Sequence, residues 1–177
     1  IVLSGGVKGE ITQLLLKGME SEAKKTALFY KELFGKRNFY VELQDHGILR
    51  QKNINRKLIK LAKNLSIPIV ATNNCHYIDQ KDARAYQVLK CVQKGKKLKD
   101  IKMHNIYGEQ AYFKSADEMK NLFKDVPDAI KNTIKIANRC NFDMRFDQMY
   151  LPNYETPSNM SPNKYLEKIA LNGMKDR

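Results

Sequence analysis

Two histidines, His46 and His76, are the side chains of this sequence best suited to hold a metal ion. Each follows an apolar or aromatic stretch by a few residues, and each has an oxygen-bearing neighbour, Glu42 before the first and Asn74 before the second. Imidazole combined with oxygen ligands is a usual donor set for zinc, manganese or iron. An isolated histidine is also commonly a plain loop or core residue, so the residues alone leave a metal site and a structural role both open.

Other motifs that could carry chemistry are weak. The glycines at positions 5, 6 and 9 have neither the dinucleotide-binding nor the P-loop spacing, which favours a simple turn after a strand. Cys75 lies beside His76, but adjacent residues usually point in different directions, which favours an incidental cysteine. The three cysteines are odd in number and widely spaced, which predicts no disulfide framework and a reducing, cytoplasmic compartment.

The histidines must be positioned by elements that alternate in type. Short apolar or β-branched stretches predict strands at residues 1–4, 38–44 and 69–72, and amphipathic spacing predicts helices between them at residues 10–17, 20–34 and 53–65. Strands alternating with helices predict an α/β fold with a parallel sheet. In such folds the chemistry lies at the carboxyl ends of the strands, where both histidine loops fall.

The second part of the chain has a helical character. Helices are expected at about residues 83–92, after Ser115, from Pro127 to about Cys140, and from about Pro162 onward. Ser115 with Glu118 forms a capping-box pattern, and Pro127 suits the first turn of a helix. A short extended segment is expected at residues 111–113, and residues 151–158 are linker-like in composition.

The charge is strongly basic, with a formal net charge of +13 and a pI near 9.6. Such a charge suits a polyanionic partner, either nucleic acid or an acidic protein surface. One run of lysines could follow a phosphate backbone without reading sequence, and it could equally be a solubilising surface. Its members proposed for nucleic-acid binding are Lys94, Lys96, Lys97 and Lys99.

No stretch of the sequence has the composition expected for membrane association. No apolar run approaches membrane-spanning length, and the opening apolar residues are too few for a secretory signal. The chain starts without methionine inside a predicted strand, which predicts a piece of a longer protein.

Several segments, in order, resemble those of bacterial DNA polymerase III alpha subunits, the C-family replicative polymerases. The most specific are "FYVELQDHG" at residues 39–47 and "VATNNCHY" at residues 70–77, with "LSGGVKGEITQLLLKG" and "AYFKSADEMKNLF" in support. The resemblance covers essentially the whole chain. It implies the C-terminal half of a PHP domain, a distorted (βα)7 barrel with parallel strands, followed by a mainly helical segment and the start of the polymerase palm.

The resemblance also implies an order of domains along the chain. Residues 1–79 correspond to the C-terminal part of the PHP barrel and residues 80–149 to a helical remainder of that domain. Residues 150–162 form a linker, and residues 163–177 begin the palm region. The catalytic aspartates of the palm lie outside the chain, so the implied enzyme is a DNA-directed DNA polymerase of which this segment alone is inactive.

The implied function is template-directed DNA synthesis, with this segment acting as scaffold and partner surface. The partners implied are DNA and the other subunits of the polymerase III holoenzyme, including a proofreading subunit, and magnesium serves the parent polymerase. The alternative is a metal-dependent phosphoesterase or 3′–5′ proofreading exonuclease, whose zinc, manganese or iron would be held by Glu42, His46, Asn74 and His76. Two departures weaken that alternative: position 74 carries Asn in place of the family's Asp, and Gly6 stands where relatives often have cysteine.

Overall fold

The computed structural model describes residues 1–97, 109–157 and 160–175. The chain forms two compact units, Ile1–Cys140 and Asn141–Arg177. No helix in the described part of the chain is long and apolar enough to cross a membrane.

The first unit is built on a three-stranded parallel sheet in the order β1–β2–β3. Its strands are β1 (Val2–Leu3), β2 (Phe39–Leu43) and β3 (Ile69–Ala71). Val2 aligns with Phe39, and Val41 aligns with Ile69. Every residue of β2 is buried, as expected for the central strand of a parallel sheet covered by helices. The α/β prediction is therefore confirmed, and the arrangement is consistent with part of a PHP barrel followed by a helical segment.

Helices cover the sheet as the apolar spacing predicted. They are α1 (Glu10–Leu16) and α2 (Glu20–Phe34) between β1 and β2, and α3 (Leu49–Leu65) between β2 and β3. The main core contains Ile11 of α1, Ala27 of α2, Leu58 of α3 and the β2 residues Phe39 and Leu43. Burying the larger of these side chains, such as Ile11, Phe39 and Leu58, contributes roughly 1.5–3 kcal/mol each.

The rest of the first unit is helical. A single 3₁₀ turn (Gln80–Asp82) leads into α4 (Ala83–Gln93), followed after the undescribed stretch by α5 (Ala116–Leu122) and α6 (Pro127–Ala137). The capping box of Ser115 and Glu118 is present, and Pro127 occupies the first turn of α6, as predicted. The predicted extended segment at 111–113 contains an isolated parallel bridge between Tyr112 and Tyr77.

Helix α6 closes one side of the sheet beside β3. Its buried Asn132 donates from Nδ2 to the carbonyl oxygen of Ile69 at 2.7 Å. Beyond its end, Arg139 donates to the carbonyl oxygen of Arg37 at 2.5 Å and to Oδ1 of Asn38 at 2.6 Å, just before β2. These bonds tie the late helix to the start of two strands.

The second unit contains α7 (Pro162–Lys175), which starts where the sequence predicted a last helix. The rings of Tyr154 and Tyr165 stack within this unit with centroids 5.8 Å apart. Many of its large apolar side chains are exposed, among them Phe142, Phe146 and Met149.

Candidate functional site

The carboxyl ends of the three strands lie at one edge of the sheet, because the strands are parallel. Residues 4–6 follow β1, residues 44–47 follow β2 and residues 72–76 follow β3. The sequence placed its metal-ligand candidates at this edge, so their surroundings decide what chemistry the edge supports.

Glu42 is the only acidic residue within the three strands, and it is only 9% exposed. Its Oε1 accepts a hydrogen bond from Nε2 of Gln44 at 2.9 Å and another from the hydroxyl of Thr72. The backbone N–H of Glu42 donates to Oγ of Ser4 at 2.9 Å. A buried carboxylate is costly unless polar partners surround it, and these neighbours supply them.

Gln44 joins the residues of this cluster. Its Nε2 also lies 3.2 Å from Oγ1 of Thr72, and its backbone carbonyl oxygen accepts from Nδ2 of Asn55 on α3 at 2.9 Å. We call Ser4, Glu42, Gln44 and Thr72 the strand-end network. It ties all three strands together through side chains.

Gly6 leaves room for this network. A Cβ built on Gly6 would lie 2.4 Å from Oε1 of Gln44 and 2.8 Å from its Cδ, closer than real Cβ atoms approach. The Gln44 side chain therefore occupies the space that a larger residue at position 6 would need. Glycine at position 6 and glutamine at position 44 therefore go together, because a side chain at position 6 would displace that of Gln44.

His46 is almost fully buried, with 3% of its surface exposed. Its ring Nδ1 lies 3.1 Å from Nε2 and 3.3 Å from Oε1 of Gln51, and its backbone N–H donates to the same Oε1 at 2.8 Å. Burial lowers the pKa of the imidazole below its usual 6.5, and the nearby Lys114 cation acts in the same direction. Gln51, Asp45 and Asn73 oppose that shift without cancelling it. His46 is thus held as a neutral, packed side chain.

His76 has different surroundings. Its side chain is exposed, and its ring stacks on Tyr86 of α4 with centroids 5.1 Å apart and planes 16° apart. Its backbone N–H donates to the carbonyl oxygen of Ala111 at 2.8 Å. Asn74 beside it is partly buried, while the neighbouring Asn73 donates to the carbonyl oxygen of Tyr112 at 2.7 Å.

These positions do not assemble a metal centre among the described residues. No group of three His, Cys, Asp or Glu side chains there is placed to hold an ion. Oε1 of Glu42 accepts two hydrogen bonds within the strand-end network, and Gln51 contacts the ring of His46. Metal binding by Glu42, His46, Asn74 and His76 therefore stays a prediction.

The lysines proposed for nucleic-acid binding lie just after α4. Lys94, Lys96 and Lys97 are exposed, and Lys99 lies outside the described residues. Lys90 of α4 lies 6.0 Å from the centroid of the Tyr86 ring. Their exposure fits either a phosphate contact or a solvated surface.

Four residues that organise the edge were missed from sequence: Ser4, Gln44, Gln51 and Thr72. Gln51 had a detectable signal, because it lies on the stripe of α3 that otherwise carries Ile54 and Leu58, and a polar residue on an apolar stripe needs a buried partner. Ser4, Gln44 and Thr72 lie at the ends of strands, where polar residues are ordinary, so nothing in the sequence marked them.

The amino-acid sequence of the chain is similar to that of known proteins. The PHP domain family model matches residues 1–46, from β1 to the histidine that follows β2. The chain is 36% identical over 177 residues to the DNA polymerase III subunit alpha of Pseudomonas fluorescens, covering all of this chain and 15% of that protein. It is 36% identical over 179 residues to that of Borreliella burgdorferi and 35% identical over 177 residues to that of Escherichia coli K12, again with full coverage of this chain.

The chain is a homologue of part of the DNA polymerase III alpha subunit. It spans 15–16% of the length of these relatives. The resemblance proposed from the sequence is thereby confirmed, including the PHP domain at its start. The strand-end network lies mainly within the stretch that matches the PHP model, with Thr72 beyond it.

Proposed function

We propose that this chain serves as PHP-domain scaffold and partner surface in a DNA polymerase III alpha subunit, whose activity is template-directed DNA synthesis. Magnesium-dependent nucleotidyl transfer takes place elsewhere in that protein, on residues outside this chain. DNA and the other holoenzyme subunits, including a proofreading subunit, are the proposed partners, and the cytoplasm is the proposed location. The full-length similarity to proteins named DNA polymerase III subunit alpha supports this proposal.

The domain limits proposed from the sequence follow the same reasoning. Residues 1–79 form barrel, 80–149 a helical remainder, 150–162 a linker and 163–177 the start of the palm. The sheet and helices α1 to α3 fall in the first range, α4 to α6 fall in the second, and α7 falls in the last.

One observation carries the choice of scaffold over catalyst. The carboxylate that a PHP metal site would use, Glu42, is buried and hydrogen-bonded by Gln44 and Thr72, so it stabilises the junction of strands. A metal ion on Oε1 of Glu42 would compete with both of those hydrogen bonds. Gly6 adds no ligand, and Gln44 fills its space.

The competing proposal is a metal-dependent 3′–5′ exonuclease or phosphoesterase. Its support is that imidazoles follow both β2 and β3 at the same edge of the sheet. Zinc, manganese or iron would be the metals that such ligands favour.

One experiment separates the two proposals. The full-length protein that carries this segment is assayed for primer extension, for 3′–5′ cleavage of a mismatched primer, and for bound metal, together with its His76→Ala variant. We expect primer extension without cleavage, and the same behaviour in the variant. Stoichiometric metal with cleavage, both lost on His76→Ala, would establish the exonuclease. Absence of primer extension in the folded wild-type protein would overturn the polymerase assignment.

The His46→Gln variant serves as a structural control in the same assays. Glutamine keeps hydrogen-bonding capacity next to Gln51 but is a poor metal ligand. Unchanged primer extension in this variant is expected if the residue packs the edge and takes no part in catalysis.

A further inference from the structure

The outer face of α3 carries charge of one sign only. The helix contains six basic residues and no acidic residue in 17 positions. All six are exposed, and we call them the α3 basic face: Arg50, Lys52, Arg56, Lys57, Lys60 and Lys63. The apolar residues that anchor the helix, among them Ile54, Leu58 and Leu65, lie opposite Lys52, Arg56, Lys60 and Lys63, while Arg50 and Lys57 lie at the borders of the face.

The neighbouring helix α2 shows that this pattern is not shared by every helix of the domain. Its 15 positions hold three acidic and three basic residues. Solvated helix faces usually mix both signs, because opposite charges three or four residues apart attract while like charges repel. The α3 basic face lacks that mixing and therefore gives up a small amount of helix stability.

The geometry of the face is regular. Lys52, Arg56, Lys60 and Lys63 follow one another at intervals of four, four and three residues, so they lie along one stripe. At a rise of 1.5 Å per residue the stripe is roughly 16 Å long. Each strand of duplex DNA carries one phosphate per roughly 3.4 Å of helix axis, so a stripe of this length spans several phosphates.

A hollow beside the stripe adds further donors. It is lined by residues of α2 and α3, has a volume of about 480 Å³ and includes Lys24, Ser21, Lys57, Lys60 and Asn64. Glu20 also lines this hollow, where it pairs with Lys57 at 3.4 Å. The hollow therefore remains positive, with three lysines against one carboxylate.

We propose that the α3 basic face, with Lys24 of α2, is a contact surface for the phosphate backbone of duplex DNA. Charge complementarity supplies the attraction, and the hydroxyl and amide groups beside the lysines suit phosphate oxygens. The face has no aromatic side chain on which a base could stack, so it contacts backbone and does not read bases. The choice of DNA over an acidic protein rests on the proposed polymerase function; the charge pattern itself does not depend on it.

The test compares two triple variants of the full-length protein. Lys52, Lys60 and Lys63 are changed to Gln in one, which keeps the Lys57–Glu20 pair intact. Lys120, Lys124 and Lys135, on and between α5 and α6, are changed to Gln in the other, which removes the same charge from another exposed surface that has no proposed binding role. Affinity for a short duplex of random sequence is measured by fluorescence anisotropy over a series of NaCl concentrations.

The expected readout is the slope of log affinity against log salt. Each phosphate contact contributes roughly 0.9 to that slope for B-DNA. The α3 variant is expected to reduce the magnitude of the slope by roughly 2 to 3, while the matched variant changes it by less than about 1. The effect should be the same for duplexes of different sequence.

Three results would overturn the proposal. The first is an unchanged slope in the α3 variant, and the second is an equal change of slope in both variants. The third is weaker capture of polyglutamate by the α3 variant with no change in its DNA binding. The last result would assign the face to an acidic protein. Primer extension at saturating DNA is measured in parallel, so that a failure of this proposal is distinguished from a failure of the polymerase assignment.

Discussion

The carboxyl end of the sheet and the outer face of α3 are adjacent in sequence, but their charged groups have opposite surroundings. At the sheet edge, Glu42 is buried and receives hydrogen bonds from two side chains. On α3, six cations face solvent, and Lys57 has an exposed ion pair with Glu20. A group whose bonding capacity is filled by its own fold stabilises that fold, whereas exposed charge of one sign is available to a partner. The sheet edge therefore stabilises the fold, and the α3 basic face is the proposed binding surface.

The largest effect is expected from Thr72→Val, which keeps the shape but removes the hydroxyl that Glu42 and Gln44 contact. The buried carboxylate would lose a donor, and we expect a loss of about 1–3 kcal/mol in the free energy of unfolding. Chemical denaturation measures it. Thr133→Val is the matched control, because its hydroxyl bonds only the carbonyl oxygen of Ile130 within α6. Equal losses in both variants would contradict a special role for the strand-end network.

A somewhat smaller effect is expected from Gly6→Ala. The added methyl group must displace the end of the Gln44 side chain, which weakens its bonds to Glu42 and Thr72, at a cost of about 1–2 kcal/mol. The cost should shrink when Gln44→Ala is already present, because the clashing atoms are gone. Denaturation of both single variants and the double variant measures this coupling. Strictly additive losses would show that the two residues do not share the space.

The pH dependence of stability should identify His46. Its pKa in the folded state lies below the usual 6.5, so the unfolded chain binds the proton more readily. The contribution of neutral His46 to stability is therefore complete above about pH 6.5 and is lost as the pH falls from there through the folded pKa. Denaturation at a series of pH values should show this decline in the wild-type protein.

The decline should be smaller in His46→Gln and should persist in His76→Gln, which keeps the buried imidazole. The same decline in both variants would place its origin in other groups.

The smallest effect is expected on α3 itself. Lys60→Gln removes a like-charge neighbour of Arg56, Lys57 and Lys63, so stability should stay constant or rise by about 0.2–0.5 kcal/mol at low salt. Lys25→Gln on α2 is the matched control, because Lys25 lies three residues after Glu22 and its removal should give no gain. A loss of more than about 1 kcal/mol on Lys60→Gln would show that the basic face stabilises the fold.

Much of the fold was predictable because its apolar residues follow the period of each element. Helix α2 has the predicted bounds, and the three strands agree within two residues at each end. Helix α3 begins at Leu49, four residues earlier than predicted. Its first turn has no capping side chain, and the position before it, Ile48, offers no sequence signal. A local hydrogen bond from the backbone N–H of His46 to Oε1 of Gln51 holds that turn in place.

The site was less predictable than the fold. The sequence located the loops that follow β2 and β3, because histidines after strands are easily noticed. It did not reveal which neighbours would surround each ring, because burial of His46 depends on Gln51 and exposure of His76 depends on packing against Tyr86. Those contacts depend on how α3 and α4, the helices that follow the two loops, pack against them.

The strand-end network has one more consequence, for the alignment of the strands. With two, five and three residues, β1, β2 and β3 form few ladder bonds, and parallel strands of that length could slip past one another. A slip of one residue would turn Glu42 away from Thr72 and place an unbonded carboxylate among the helices. Bonds from Ser4 and Thr72 to a single residue of β2 therefore select one register out of several. Glu42 therefore fixes the register of this short sheet, because only one alignment of the strands satisfies its hydrogen bonds.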